Sequence, residues 1–148
     1  MPRAKAEALL SGVLDRARAA NESDQWLDWV HRVLLYGSLA DETRASVGDV
    51  DVAIALVPRV GRKQYRDMTE RLVEADQRAL STFVDRLGYP AQKLLRNLRS
   101  KSPRIDLIQL NAEGEGIPPG APQIEVYRFD DDSRRPMPRS DPRTSAQD

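Results

Sequence analysis

Residues 33–57 read VLLYGSLADETRASVGDVDVAIALV, and this stretch decides the fold. Val33-Leu34-Leu35-Tyr36 is a short apolar run stopped by Gly37, which suits a buried strand better than a helix. A polar segment follows from Asp41 to Gly48. From Asp49 to Val57 the chain fills again with Val, Ala, Ile and Leu and ends at Pro58, which predicts a second strand.

On that second strand Asp49 and Asp51 stand two residues apart, so both carboxylates leave one face while Val50 and Val52 point to the other. Two adjacent carboxylates repel, and either one protonates or a cation sits between them. Hard divalent ions such as Mg²⁺ take oxygen ligands, commonly one or two carboxylates together with substrate phosphates. Gly37-Ser38 lies where the first strand ends. Glycine admits close backbone approach, a following helix start offers N–H groups to a phosphate, and the serine hydroxyl adds a donor. A phosphate cradle beside a carboxylate pair is what a nucleoside triphosphate with Mg²⁺ needs.

Working outward, Leu9, Leu10, Val13, Leu14 and Ala17 recur at helical spacing and predict an amphipathic helix over 3–20. The stretch Gln25 to Arg32 reads either as a short helix, with Trp26 and Trp29 on one face, or as a strand lead-in. Downstream, Met68, Leu72, Ala75, Ala79, Leu80, Phe83 and Leu87 predict one long helix over 64–87, closed by Gly88. A shorter helix through Leu94, Leu95 and Leu98 is expected after Tyr89-Pro90. Ile105 to Leu110 reads as a third strand carrying Asp106. If it lies beside the second strand with the same facing, three carboxylates converge, enough for two metal ions. Beyond Asn111 the chain becomes rich in Gly and Pro, with an edge strand expected over 124–129 and disorder from Asp130 to Asp148.

The segment Leu35-Tyr36-Gly37-Ser38, ten residues, then Asp49-Val50-Asp51-Val52 resembles the signature of the DNA polymerase beta-like nucleotidyltransferase superfamily. The likeness is greatest to the minimal nucleotidyltransferases, small prokaryotic proteins often paired with a HEPN-domain partner as toxin and antitoxin. The resemblance covers residues 33–57 closely and 58–110 by element order. It implies that Ser38 contacts nucleotide phosphates, that Asp49 and Asp51 bind Mg²⁺ or Mn²⁺, and that a later carboxylate, here Asp106, completes the metal site and assists deprotonation of the acceptor. It also implies transfer of a nucleoside monophosphate, with ATP as the favoured donor, to a hydroxyl on a HEPN-type partner. A small molecule such as an aminoglycoside is the alternative acceptor, and a domain that binds without turnover is the third reading. Many family members continue Gly-Ser with a basic, small turn. Here Leu39-Ala40-Asp41-Glu42 follows, and Arg44 is the nearest cation that could restore the charge if the loop folds back.

The expected fold is therefore α/β (α+β), a nucleotidyltransferase-type mixed sheet of at least three strands with helices mainly on one face. Residues 1–110 form the domain, with its core at 33–110, and 111–148 form a loop, an edge strand and a tail. The chain has 148 residues, enough for one modest core. Lys plus Arg and Asp plus Glu both number 23, so net charge gives no support for a nucleic-acid partner. There is no cysteine, which removes disulfides, thiolate metal sites and cysteine nucleophiles. No signal-peptide run appears at the N-terminus, and nothing approaches the ~18 consecutive apolar residues of a membrane span. A soluble cytoplasmic protein is expected, with homo-oligomerisation left open. From Arg86 to Arg104 there are six basic residues (Arg86, Lys93, Arg96, Arg99, Lys101 and Arg104) and no acidic ones, a run that reads equally as a surface for phosphate, RNA or an acidic partner and as a solvated helix face.

Overall fold

A computed structural model describes residues 1–80 and 82–136. The protein is a mixed α/β fold. Helix α1 (Arg3–Glu22) leads into strand β1 (Asp28–Tyr36), then β2 (Val50–Pro58), helices α2 (Arg62–Ala75) and α3 (Phe83–Arg99), and strands β3 (Ile105–Gln109) and β4 (Gln123–Arg128). The four strands form one sheet in the order β3-β2-β1-β4. β1 is antiparallel to both β2 and β4, and β2 is parallel to β3. Parallel neighbours need a crossover connection, and α2 with α3 supplies it.

Period-two alternation divides the sheet into two faces. Val33, Leu35, Val50, Val52, Ile54 and Ile105 pack with Ala6, Val13 and Ala17 of α1 and Leu94 and Leu98 of α3 in the main core. On the other face Leu34, Tyr36, Ala53 and Leu110 form a smaller cluster, joined by Ile108 and by Ile117 from the loop after β3. No helix among the described residues is long and apolar enough to cross a membrane.

The helix expected over 64–87 is two helices. α2 stops at Ala75, Gln77 takes a left-handed conformation (φ 53°), and the Arg78 N–H turns back to Val73 O at 3.1 Å. Thr82 then caps α3, its hydroxyl accepting from the Asp85 N–H. α3 continues through Gly88 and Pro90, so Gly88 closes nothing. The apolar spacing that runs across the break is not a buried stripe, since Ala75, Ala79 and Phe83 are exposed. The contact between the two helices is reinforced by Tyr89 Oη and Lys93 Nζ, both donating to Asp76 Oδ2 at 2.7 Å.

β1 begins at Asp28, earlier than the apolar run from Val33, and Trp29 lies in it rather than on a short helix. The Arg59 guanidinium covers the Trp29 ring at 3.9 Å, which lets an indole sit on a strand beside a charged neighbour. Residues 130–136 are not a disordered run. A 3₁₀ turn spans Phe129–Asp131, and Tyr127 Oη donates to Asp132 Oδ2 at 2.8 Å while accepting from the buried Asn21 amide at 2.9 Å. The expectation of disorder over 137–148 lies outside the described residues. The sheet itself extends past residue 110, since β4 pairs with β1 from Tyr36↔Gln123 to Arg32↔Arg128.

Candidate functional site

The candidate residues meet at one end of the sheet because of strand register. In the parallel ladder Val50 pairs with Ile105 and Asp51 with Asp106, and in the antiparallel ladder Tyr36 pairs with Asp51. Asp106, Asp51, Tyr36 and Gln123 thus form a continuous row across all four strands. Val50 and Val52 enter the main core, so alternation turns Asp51 to the face that carries neither α1 nor α3.

Within that row Asp51 is half-buried and Asp106 exposed, and Asp49, just before β2, is exposed as well. Burial, then the charges of Asp106 and Asp49, hold the Asp51 carboxyl above the usual carboxylate range. The Tyr36 phenol is pushed up by its burial and then by Asp51 and Asp106, so it stays protonated and keeps a proton to donate.

Gly37 has φ +77°, and a Cβ built there would stand 2.6 Å from Asp51 Oδ2. Its place in the site is to make room for that carboxylate. Its own N–H donates to Pro122 O at 3.0 Å, which ties the start of the turn to the loop before β4. The chain then enters a 3₁₀ turn over Gly37–Ala40. The Ser38 hydroxyl accepts the Gly48 N–H at 3.1 Å and retains its own proton for a ligand. This bond joins the two ends of the polar loop.

The loop is clasped from outside by the first residues of the chain. Arg3 donates to the carbonyls of Arg44 (2.8 Å), Leu39 (3.2 Å) and Asp41, and the Val47 N–H donates to Met1 O at 2.9 Å. Asp41 accepts from both the N–H and the hydroxyl of Thr43, at 3.0 and 2.6 Å, and these bonds hold its carboxyl below the usual range. That acidic side chain is spent on the turn. Arg44 is exposed, and its charge is felt at Asp41. Among the described residues no hydrogen bond or ion pair joins its side chain to Ser38, Asp49, Asp51 or Asp106.

The cation at the site is instead Arg104. Its Nε lies 3.7 Å from Asp49 Oδ1, and its Nη2 lies 3.5 Å from Gly48 O. Arg104 and Asp106 are two apart at the entry to β3, as Asp49 and Asp51 are at the entry to β2. That i, i+2 repeat was the signal in the sequence. The rest of the basic run is partly consumed: Arg86 pairs with Glu70, Lys93 with Asp76, and Arg99 Nε donates to Ser102 O at 3.1 Å.

Asp49, Asp51 and Asp106 supply only hard carboxylate oxygens, a donor set suited to Mg²⁺ or Mn²⁺. Burial first, and then the charges of Asp106 and Asp49, oppose the Asp51 carboxylate, and a divalent cation would relieve the repulsive part. The three are not drawn into a closed cluster: among the described residues no three His, Cys, Asp or Glu side chains stand together as a group able to hold an ion. Asp49 pairs instead with Arg104. Comparison with protein-family models, curated proteins and solved structures gave no match.

Proposed function

We propose that the protein is a divalent-cation-dependent nucleotidyltransferase, moving a nucleoside monophosphate from a nucleoside triphosphate to a hydroxyl group. The observation that carries this reading is the register pair Asp51–Asp106 with Asp49 beside it, at the strand end where Ser38 presents a hydroxyl. Asp49, Asp51 and Asp106 would hold the ion, which when bound supplies charge neutralisation of the triphosphate and acidification of the attacking hydroxyl. Ser38 donates its proton to a phosphate oxygen. The exposed Asp106 accepts the proton of the acceptor hydroxyl and passes it to solvent. The acceptor oxygen bonds to the α-phosphorus as the bond from that phosphorus to the bridging oxygen breaks, and pyrophosphate leaves with the electron pair. Such chemistry depends mainly on positioning and charge, which carboxylates on rigid strands provide.

ATP is the donor that the family resemblance favours. The acceptor we favour is a hydroxyl on a partner protein of HEPN type, and the exposure of Asp49 and Asp106 at the entry ends of β2 and β3 supports a macromolecular acceptor over an enclosed small one. A second reading, nucleotide or partner binding without turnover, draws on the engagement of Asp49 by Arg104. The deciding experiment incubates the protein with each labelled nucleoside triphosphate, Mg²⁺ and cell extract, beside Asp51→Ala. Release of pyrophosphate and a labelled acceptor, both lost in the variant, are expected. Neither product above the variant's level would overturn the enzyme reading.

A further inference from the structure

We infer that Arg104 is the residue that grips the β- and γ-phosphates of the substrate, and that its contact with Asp49 is a resting pair exchanged when the substrate binds. This rests on the nucleotidyltransferase reading and names the cation that the turn after Gly37-Ser38 lacks.

The backbone of Arg104 is firmly placed. Ser100 and Lys101 both adopt left-handed conformations (φ 54° and 59°), turning the chain sharply out of α3. Ser102 O receives the Ile105 N–H at 3.4 Å, and Arg104 O accepts the Val50 N–H at 2.8 Å, locking the residue beside β2. The side chain is held far more loosely. Its ion pair spans 3.7 Å with 46% and 51% of the two side chains exposed, and its bond to Gly48 O is at the outer limit of length. Exposed pairs of this kind are among the weakest contacts in proteins. A guanidinium offers five donors in a planar fork that matches a phosphate bidentately. Gly48, whose carbonyl Arg104 touches, is the residue whose N–H binds Ser38 Oγ, so the fork and the serine hydroxyl flank one short segment of loop.

Charge balance gives the exchange its direction. Asp49 satisfies Arg104 when no cation is near. With Asp49 committed to a cation, the guanidinium is free for the phosphates that the cation does not cover. Arg44 is a poorer candidate, because among the described residues no hydrogen bond or ion pair brings its side chain to Ser38, Gly48 or the three carboxylates, whereas Arg104 touches both Asp49 and Gly48.

The test is calorimetric binding, with no turnover required. Wild type, Arg104→Ala, Arg104→Lys and Asp49→Asn are titrated with an α,β-methylene ATP analogue plus Mg²⁺, with AMP plus Mg²⁺, and with tripolyphosphate in chelator. Arg104→Ala should weaken the triphosphate analogue by about tenfold or more and leave AMP within about twofold. Arg104→Lys should recover part of the loss. Asp49→Asn should bind metal-free tripolyphosphate more tightly than wild type, because Arg104 is released. Equal analogue affinity in wild type and Arg104→Ala overturns the assignment and leaves the nucleotidyltransferase reading standing. An equal loss for AMP also overturns it. A wild-type protein that binds neither analogue nor tripolyphosphate overturns both, and the flat wild-type titration distinguishes that case.

Discussion

The carboxylate of Asp51 occupies the space that a side chain on residue 37 would need. A Cβ there would stand 2.6 Å from Asp51 Oδ2, in a backbone conformation (φ +77°) that side chains disfavour. Gly37→Ala should therefore cost about 1–3 kcal/mol and displace Asp51. Gly48→Ala is the control, since its Cβ would meet only Ser38 Oγ at 4.0 Å, and it should stay within about 0.5 kcal/mol of wild type. Urea denaturation of the two variants checks the contrast, and equal midpoints would remove this account of Gly37.

Asp51→Asn removes a charge that burial and two neighbouring carboxylates oppose. In chelator the variant should be no less stable than wild type near neutral pH. Because the native carboxyl titrates above its unfolded value, wild type gains stability as pH falls through the native value, and the difference should close there. Nucleotidyl transfer should fall by about a hundredfold or more. Thermal melts across pH with and without Mg²⁺, together with the labelled-nucleotide assay, report both effects. A large destabilisation of Asp51→Asn in chelator would mean that the carboxylate serves the fold.

Asp28 is a second raised carboxyl, far from the site in role. It is buried at the start of β1, pushed up by that burial, while the Tyr65 hydroxyl donates to it at 2.8 Å and Arg59 lies nearby, both lowering it. Between the unfolded value of 3.8 and the higher native one, the folded state binds more protons, so stability from this group rises as pH falls. Relative to Asp28→Asn, wild type should gain on acidification from neutral pH through that window. Tyr65→Phe removes a donor from the buried carboxylate and should cost about 1–3 kcal/mol at neutral pH. Urea midpoints followed against pH would show a flat difference if Asp28 were ordinary.

Arg3 holds three carbonyls of the loop between Ser38 and Asp49. Arg3→Ala should lower global stability by about 1–2 kcal/mol and raise amide exchange over residues 39–47 more than elsewhere. Hydrogen exchange read residue by residue checks this. Uniform loosening would show that the clasp acts on α1 and not on the loop.

The strands β1 and β2 were legible because each carries a short run of Val, Leu, Ile and Ala and their ends are marked by Gly37 and Pro58. The pairing of Asp106 with Asp51 could be stated only as a condition, since register across a crossover is fixed by packing between distant segments. The break at Gln77 was hidden because Ala79 and Phe83 continue the helical spacing by sequence while lying exposed in and just after the turn, and Gly88 was a false stop inside α3. Arg104 was read only as one of six basic residues, although its i, i+2 spacing to Asp106 repeats that of Asp49 to Asp51. Its pairing with Asp49 depends on β3 entering the sheet beside β2. Tyr36 read as strand filler, and its proximity to two carboxylates follows from cross-strand neighbours that no local pattern encodes.

The parallel pairing of β2 and β3 also sets the order in which the protein can mature. Gly37, Ser38, Asp49 and Asp51 lie on adjacent strands of an antiparallel hairpin and can meet early as the chain emerges. Asp106 and Arg104 join them only through the parallel pairing of β3 with β2, a long-range contact across the segment that holds α2 and α3 and of the kind that closes slowly. A nascent or partly unfolded chain thus carries half a site, and the complete carboxylate row serves as a built-in certificate that the crossover has closed.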